Sequence, residues 1–196
     1  MTGRSHSRWI GIGLVAALAG CAAHGTEPRA AAAPSGASRA SGVAADLAAA
    51  DAAHGNGDKR VLASTLLRLG QRGARPLDDA VADDPVPAWR AAVSDKLPPL
   101  RGRALGPGYV RGTLAPGNET SLNQLFLSGQ AATIAADSQP QSELRLRIYD
   151  GDGKLVCDRT PAHARDCRFT PVFTQRYRIE LSNGGARRVN YYLVLD

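Results

Sequence analysis

Leu144-Arg145-Leu146-Arg147-Ile148-Tyr149-Asp150-Gly151-Asp152-Gly153 is the stretch that decides the fold. Leu144, Leu146 and Ile148 alternate with Arg145, Arg147 and Tyr149, a two-residue period that turns one strand face to the interior and the other to water. Two Asp-Gly pairs then supply turn chemistry before Leu155-Val156-Cys157. Further along, Tyr177, Ile179 and Leu181 alternate with Arg176, Arg178 and Glu180, and Val189 to Leu195 follows the break Asn183-Gly184-Gly185. Upstream, Tyr109 to Leu114 ends at Ala115-Pro116-Gly117-Asn118, and Gly129 separates Asn123 to Ser128 from Ala131 to Ala136. About eight short strands at this spacing, with turn residues between them, predict a mainly β domain over 109–196, an antiparallel β-sandwich or jelly roll whose turns imply hairpins.

Five pieces of this region occur in a familiar order: Leu114-Ala115-Pro116-Gly117, Phe126-Leu127-Ser128-Gly129-Gln130, Leu144 to Gly153, Tyr177-Arg178-Ile179-Glu180-Leu181-Ser182-Asn183 and Tyr192-Leu193-Val194-Leu195. In that order they resemble the bacterial pre-peptidase C-terminal (PPC) domain. The chain departs from the family at Thr174-Gln175-Arg176-Tyr177, where Gly-Thr-Tyr is common, and no peptidase accompanies the domain. The resemblance implies a β-sandwich, with calcium bound in some relatives.

The other end of the chain carries an address. Arg4 and Arg8 precede a short apolar run from Trp9 to Leu18, closed by Leu18-Ala19-Gly20-Cys21. This layout belongs to an export signal, and its cysteine resembles the lipobox of bacterial lipoproteins. The resemblance implies a signal peptide over 1–20, acylation of Cys21 with palmitate among its chains, and anchoring in the cell envelope. Ala22 in place of Asp after the cysteine implies the outer membrane, periplasmic face, in a Gram-negative host. A transmembrane helix is the rival, but Trp9 to Gly20 falls short of the roughly 20 apolar residues a span requires.

Residues 21–42 are rich in Ala, Gly, Pro, Ser and Arg, with no apolar period, and predict a flexible, disordered tether. Residues 43–100 predict a small α-helical segment. Val43 to Ala53 forms its first helix, ending at His54-Gly55-Asn56-Gly57. Asp58 caps a second, with Val61, Leu62, Thr65, Leu66 and Leu69 along one stripe. Asp78 to Asp84 and Pro87 to Ser94 suggest two short turns, anchored by Trp89. So narrow a stripe cannot form its own core and must pack on the sandwich or on a partner. An amphipathic membrane helix is the sharper alternative, opposed by the lack of interfacial aromatics.

Net charge is +6, and loss of Arg4 and Arg8 with the leader leaves 22 cationic against 18 acidic residues, or +4. Arginine supplies 21 of the 24 cations, which in so alanine-rich a chain reflects base composition more than a nucleic-acid surface. With Cys21 committed to lipid, Cys157 and Cys167 remain, and an oxidising envelope favours pairing them as a disulfide. A metal or redox site is the rival, but the spacing lacks CxxC geometry and only His163 lies between.

Reaction chemistry finds no support in the motifs. GxSxG and HExxH are absent, and His24, His54 and His163 have no nucleophile at suggestive spacing. A hydrolase would demand a concave pocket with converging polar groups, and none is expected. Asp150-Gly151-Asp152-Gly153 invites a calcium reading, outweighed by a hairpin turn using glycine at positive φ. Asn118-Glu119-Thr120 is expected to be loop. Arg145, Arg147, Arg176 and Arg178 would share one outward face if their strands are neighbours, a patch able to hold phosphate or carboxylate; the plainer reading is a solvated sheet face. The expectation is a lipid-anchored envelope protein, not an enzyme, with no cofactor and no metal. Its sandwich binds or scaffolds an envelope polysaccharide or an envelope protein, not nucleic acid. The alternative is an accessory or chaperone-like subunit docking through Leu66, Leu69 and Trp89.

Overall fold

The computed structural model describes residues 37–77, 82–93 and 106–196. The leader over 1–20, Cys21 and the tether up to residue 36 lie outside the described residues. Helix α1 spans Arg39–Gly55. It starts four residues before the expected Val43, so the last part of the expected tether is helix. Ser38 explains the difference, because its hydroxyl accepts the Ser41 N–H at 3.0 Å and caps the first turn.

Helix α2, Lys59–Arg72, is capped by Asp58, whose carboxylate accepts the Val61 N–H at 3.0 Å. The two helices approach closely at Gly42, where a Cβ would lie 2.6 Å from the Arg72 guanidinium. Arg68 and Arg72 both reach the buried Asp46 carboxylate, at 2.7 and 3.0 Å, and clamp the pair. Helix α3, Val86–Ala92, has Pro87 in its first turn. It is held by Asp84, which accepts the Val86 N–H and, at 2.6 Å, the hydroxyl of Tyr109.

Among the described residues nine strands form two sheets. A two-residue edge strand β1 (Arg75–Pro76) runs parallel to β2 (Gly108–Leu114). The others are β3 (Glu119–Phe126), β4 (Ala132–Gln139), β5 (Leu144–Tyr149), β6 (Leu155–Arg159), β7 (Cys167–Phe169), β8 (Gln175–Asn183) and β9 (Val189–Leu195). Sheet A has the order β1-β2-β9-β4-β7 and sheet B the order β3-β8-β5-β6. Leaving β1 aside, this is the strand order of a jelly roll.

That topology corrects the expected hairpins. Among the long strands only β5 and β6 are consecutive and paired, while the other connections between them cross from one sheet to the other. Glycine- and proline-bearing turns serve both purposes, so their chemistry does not distinguish a hairpin from an arch. Asn118-Glu119-Thr120 is also corrected, since Glu119 and Thr120 open β3.

The core has two layers. Leu144, Leu146, Ile148, Tyr177, Ile179 and Leu181 from sheet B meet Ile134, Ala136, Val189, Leu193 and Leu195 from sheet A. On the far side of sheet A, Tyr109, Ala135, Tyr192 and Val194 meet Val43, Leu47, Leu62, Leu66, Leu69 and Trp89 from the helices. Sheet A is thus buried on both faces, which is why β9 is almost continuously apolar while β5 alternates. Small side chains let α1 lie close, with Ala40, Ala44 and Ala48 all buried.

Asn183 fastens the end of the sandwich where β8 stops. Its amide N–H groups reach the Leu114 and Arg187 carbonyls at 3.2 and 2.7 Å, and its oxygen accepts from Gly185 N–H and the Ser142 hydroxyl, both at 3.0 Å. One buried side chain therefore ties three connections. Asn183→Ala should cost about 2 kcal/mol, since it strands several buried partners; a shift of that size in the denaturant midpoint, with unchanged slope, checks it.

Candidate functional site

The outward face of sheet B gathers the four arginines singled out in the sequence. In the β5–β8 register Arg145 stands opposite Ser182, Arg147 opposite Glu180 and Tyr149 opposite Arg178. Carboxylates interleave with them. Arg145 grips Asp158 with two hydrogen bonds, at 2.9 and 2.5 Å. Arg147 lies 3.2 Å from Glu180 and 3.4 Å from Glu119. Arg178 pairs with Glu180 and stacks 4.5 Å from the centre of the Tyr149 ring. The Arg145 hydrogen bond holds the Asp158 carboxyl below the usual range and raises Arg145 in turn. Arg176 is exposed and has no ion pair among the described residues. The face is a salt-bridge network close to charge balance, with Glu180 itself buried and the solvent-exposed pairs adding little stability.

Cys157 on β6 and Cys167 on β7 form the disulfide, with Cα atoms 6.0 Å apart. The bridge joins the edges of the two sheets. Beside it lies an open cleft of about 530 Å³ that the sequence did not announce, lined by the α1 cap Ser38, by Ser41 of α1 and by Arg159, His163, Arg165, Asp166 and Arg168. The expectation of no concave site with converging polar groups is therefore corrected. Its walls come from residues more than a hundred positions apart, brought together when α1 lies along sheet A.

Asp166 is the hub of the cleft. Arg168 donates to it at 3.1 and 3.0 Å, Ser41 at 3.4 Å, and Arg159 donates to its carbonyl at 3.3 Å. Burial pushes the Asp166 carboxyl up, but hydrogen bonds from Ser38, Arg168 and Ser41 outweigh it and hold the group below the usual range. Arg165 is exposed and carries no ion pair among the described residues. His163 faces Asp137, whose carboxyl is pushed up by burial, against the opposing pull of the Ser138 N–H and His163. No direct hydrogen bond joins His163 to Ser41, Asp137 or Asp166. The cleft presents guanidinium and imidazole donors to an anion.

In the β5–β6 hairpin the Asp150 carboxylate accepts the N–H groups of Asp152 and Lys154, at 3.1 and 2.9 Å, and Gly153 sits at φ +79°. This carboxylate closes the turn. Among the described residues no group of three or more His, Cys, Asp or Glu side chains is arranged to hold a metal, and no helix is long and apolar enough to cross a membrane.

The fold and these surfaces define a disulfide-stapled jelly roll with one sheet capped by helices. No family model matches the sequence, and no curated protein sequence matches it either. Solved structures do show likeness. The periplasmic inhibitor of g-type lysozyme PliG from Aeromonas hydrophila is similar at 10% identity and TM-score 0.40, over 46% of this chain and 84% of that one. The Yersinia pseudotuberculosis-derived mitogen is similar at 12% identity and TM-score 0.41, over 46% and 84%. The pre-peptidase C-terminal domain of a Bacillus anthracis collagenase is similar at 9% identity and TM-score 0.39, over 45% and 87%. At these identities and scores none of the likenesses carries a function to this chain.

Proposed function

We propose that this chain is a lipid-anchored protein of the bacterial cell envelope whose jelly roll binds or scaffolds an anionic envelope polymer without catalysing a reaction. The cleft beside the disulfide carries this reading, because it sets Arg165 and His163 next to Arg168 in one concavity. Guanidinium groups match phosphate and carboxylate geometry. The lipobox at Cys21 supports the address, and the Cys157–Cys167 bridge supports an oxidising compartment.

Replacing Arg165 and Arg168 by glutamine should weaken retention on peptidoglycan or lipopolysaccharide at least about tenfold, since one lost charged hydrogen bond alone is worth about 1.5 kcal/mol or more. Unchanged retention on both polymers rejects the ligand class. The accessory-subunit reading has lost its surface. Leu66, Leu69 and Trp89 are 1, 2 and 2% exposed and are consumed by the cap on sheet A.

A further inference from the structure

Exposed apolar side chains meet at one end of the jelly roll. Phe126, the last residue of β3, and Gln175, the first of β8, stand opposite each other. The two connections that leave there, 127–131 and 170–174, are laced together. The Ser128 hydroxyl donates to the Val172 carbonyl at 2.6 Å, the Ser128 N–H to the Thr174 hydroxyl at 3.0 Å, and the Gly129 N–H to the Pro171 carbonyl at 2.9 Å. Between these bonds Leu127, Val172 and Phe173 stand 46, 73 and 72% exposed, with Leu125 at 47% behind them. A single exposed apolar residue is ordinary, but a valine and a phenylalanine side by side on a braced tip form a contact surface.

The described chain begins at the same end. Arg39, at the start of α1, hydrogen-bonds Asp196 at 3.0 Å, and Asp196 pairs through its backbone with Thr133 near the start of β4. The first described residue, Ala37, therefore lies at this end. Cys21 stands sixteen positions before Ala37 in the sequence, a separation that a fully extended chain stretches to at most about 55 Å.

We infer that this apolar tip rests in the lipid surface to which Cys21 is anchored, with Leu127, Val172 and Phe173 at the boundary between headgroups and acyl chains. The inference rests on the lipid-anchored reading. The lipid surface is favoured as the occupant because the described chain begins at this end, within reach of the anchor; Leu125 and Leu127 also line an open hollow of about 390 Å³ there, which acyl chains can fill. The contact is apolar more than ionic. Arg39 is paired with Asp196 and Arg168 with Asp166, and the Asp150–Gly153 turn at the same end, where Gly151 lies against Gln175, adds carboxylates. Arg176, opposite Leu125 in the β3–β8 register, is placed to meet lipid phosphate.

The test places an indole at the tip with F173W, and at the opposite end with N118W, in the exposed turn before β3. Each variant is prepared as the acylated protein and, separately, as the chain from Cys21 onward, which keeps the whole compact unit Ser35–Asp196. In the second form the Cys21 thiol is coupled to a maleimide lipid in vesicles of phosphatidylethanolamine and phosphatidylglycerol. The expected result is a blue shift and loss of emission for F173W when the vesicles carry lipid brominated near the headgroup, little changed by salt, and no such loss for N118W. Equal quenching at both ends, or none at F173W, overturns the inference. A blue shift that depends on protein concentration without lipid means a second copy covers the tip, and overturns it too. The maleimide arm reports on the tip whether or not the cell acylates Cys21. The mass of the protein made in cells, and its flotation with and without C21S, report on the anchor alone.

Discussion

Truncation of Trp89 to alanine is expected to destabilise the whole described fold by about 3–5 kcal/mol, the range for removing a buried tryptophan. Trp89 is 2% exposed and lies against Tyr192, ring centres 6.2 Å apart, so it fills the space between α3 and the central strand β9. Its loss opens a cavity over Tyr192 and Val194, side chains that only the helical cap shields from water. Against a typical domain stability of about 5–15 kcal/mol, this is a large fraction. Urea unfolding followed by both helical and strand signals measures it. Both transitions should move together; a lower midpoint for the helical signal alone would mean that the helices are an appendage to a self-sufficient sandwich.

Removing the disulfide by replacing Cys157 and Cys167 with alanine should cost about 3 kcal/mol. The chain-entropy model assigns roughly that to a loop of about eleven residues, and both positions are buried between the sheet edges. The loss has a functional counterpart, since β7 pairs with β4 through only three residues and the bridge holds that edge beside the cleft. The double variant should therefore lose polymer retention more steeply with temperature than the native protein. Equal midpoints for the two proteins in denaturant would show the bridge to be energetically idle.

The strands were legible because burial on one face writes a period of two. Leu144, Leu146 and Ile148, and later Tyr177, Ile179 and Leu181, are all buried, as their alternation with charged neighbours required. The disulfide was legible because the expected envelope address and the expected acylation of Cys21 left Cys157 and Cys167 to pair. The start of α1 was not, because Ala, Gly and Ser carry no period of their own and become a core face only when a sheet lies beneath them. The pairing of the arginine face was partly available. Glu180 occupies the same strand face as Arg178, two residues away, and its carboxylate could have been set against the cations from the outset. The cleft had no sequence signal, since Ser41 and Asp166 become neighbours only through the packing of α1 on sheet A. The arches between sheets escaped for a similar reason: a turn names its own backbone angles, not the sheet that its next strand will join.

The most direct test of this architecture is native-state hydrogen exchange on the amides of α1, α2 and β9. If the helices complete the core of the jelly roll, the buried turns of α1 around Leu47 and the centre of β9 around Tyr192 exchange through the same global opening, with equal free energies and equal denaturant dependence. Exchange of the α1 amides through a separate opening several-fold easier than that of β9, with β9 still fully protected, would contradict it.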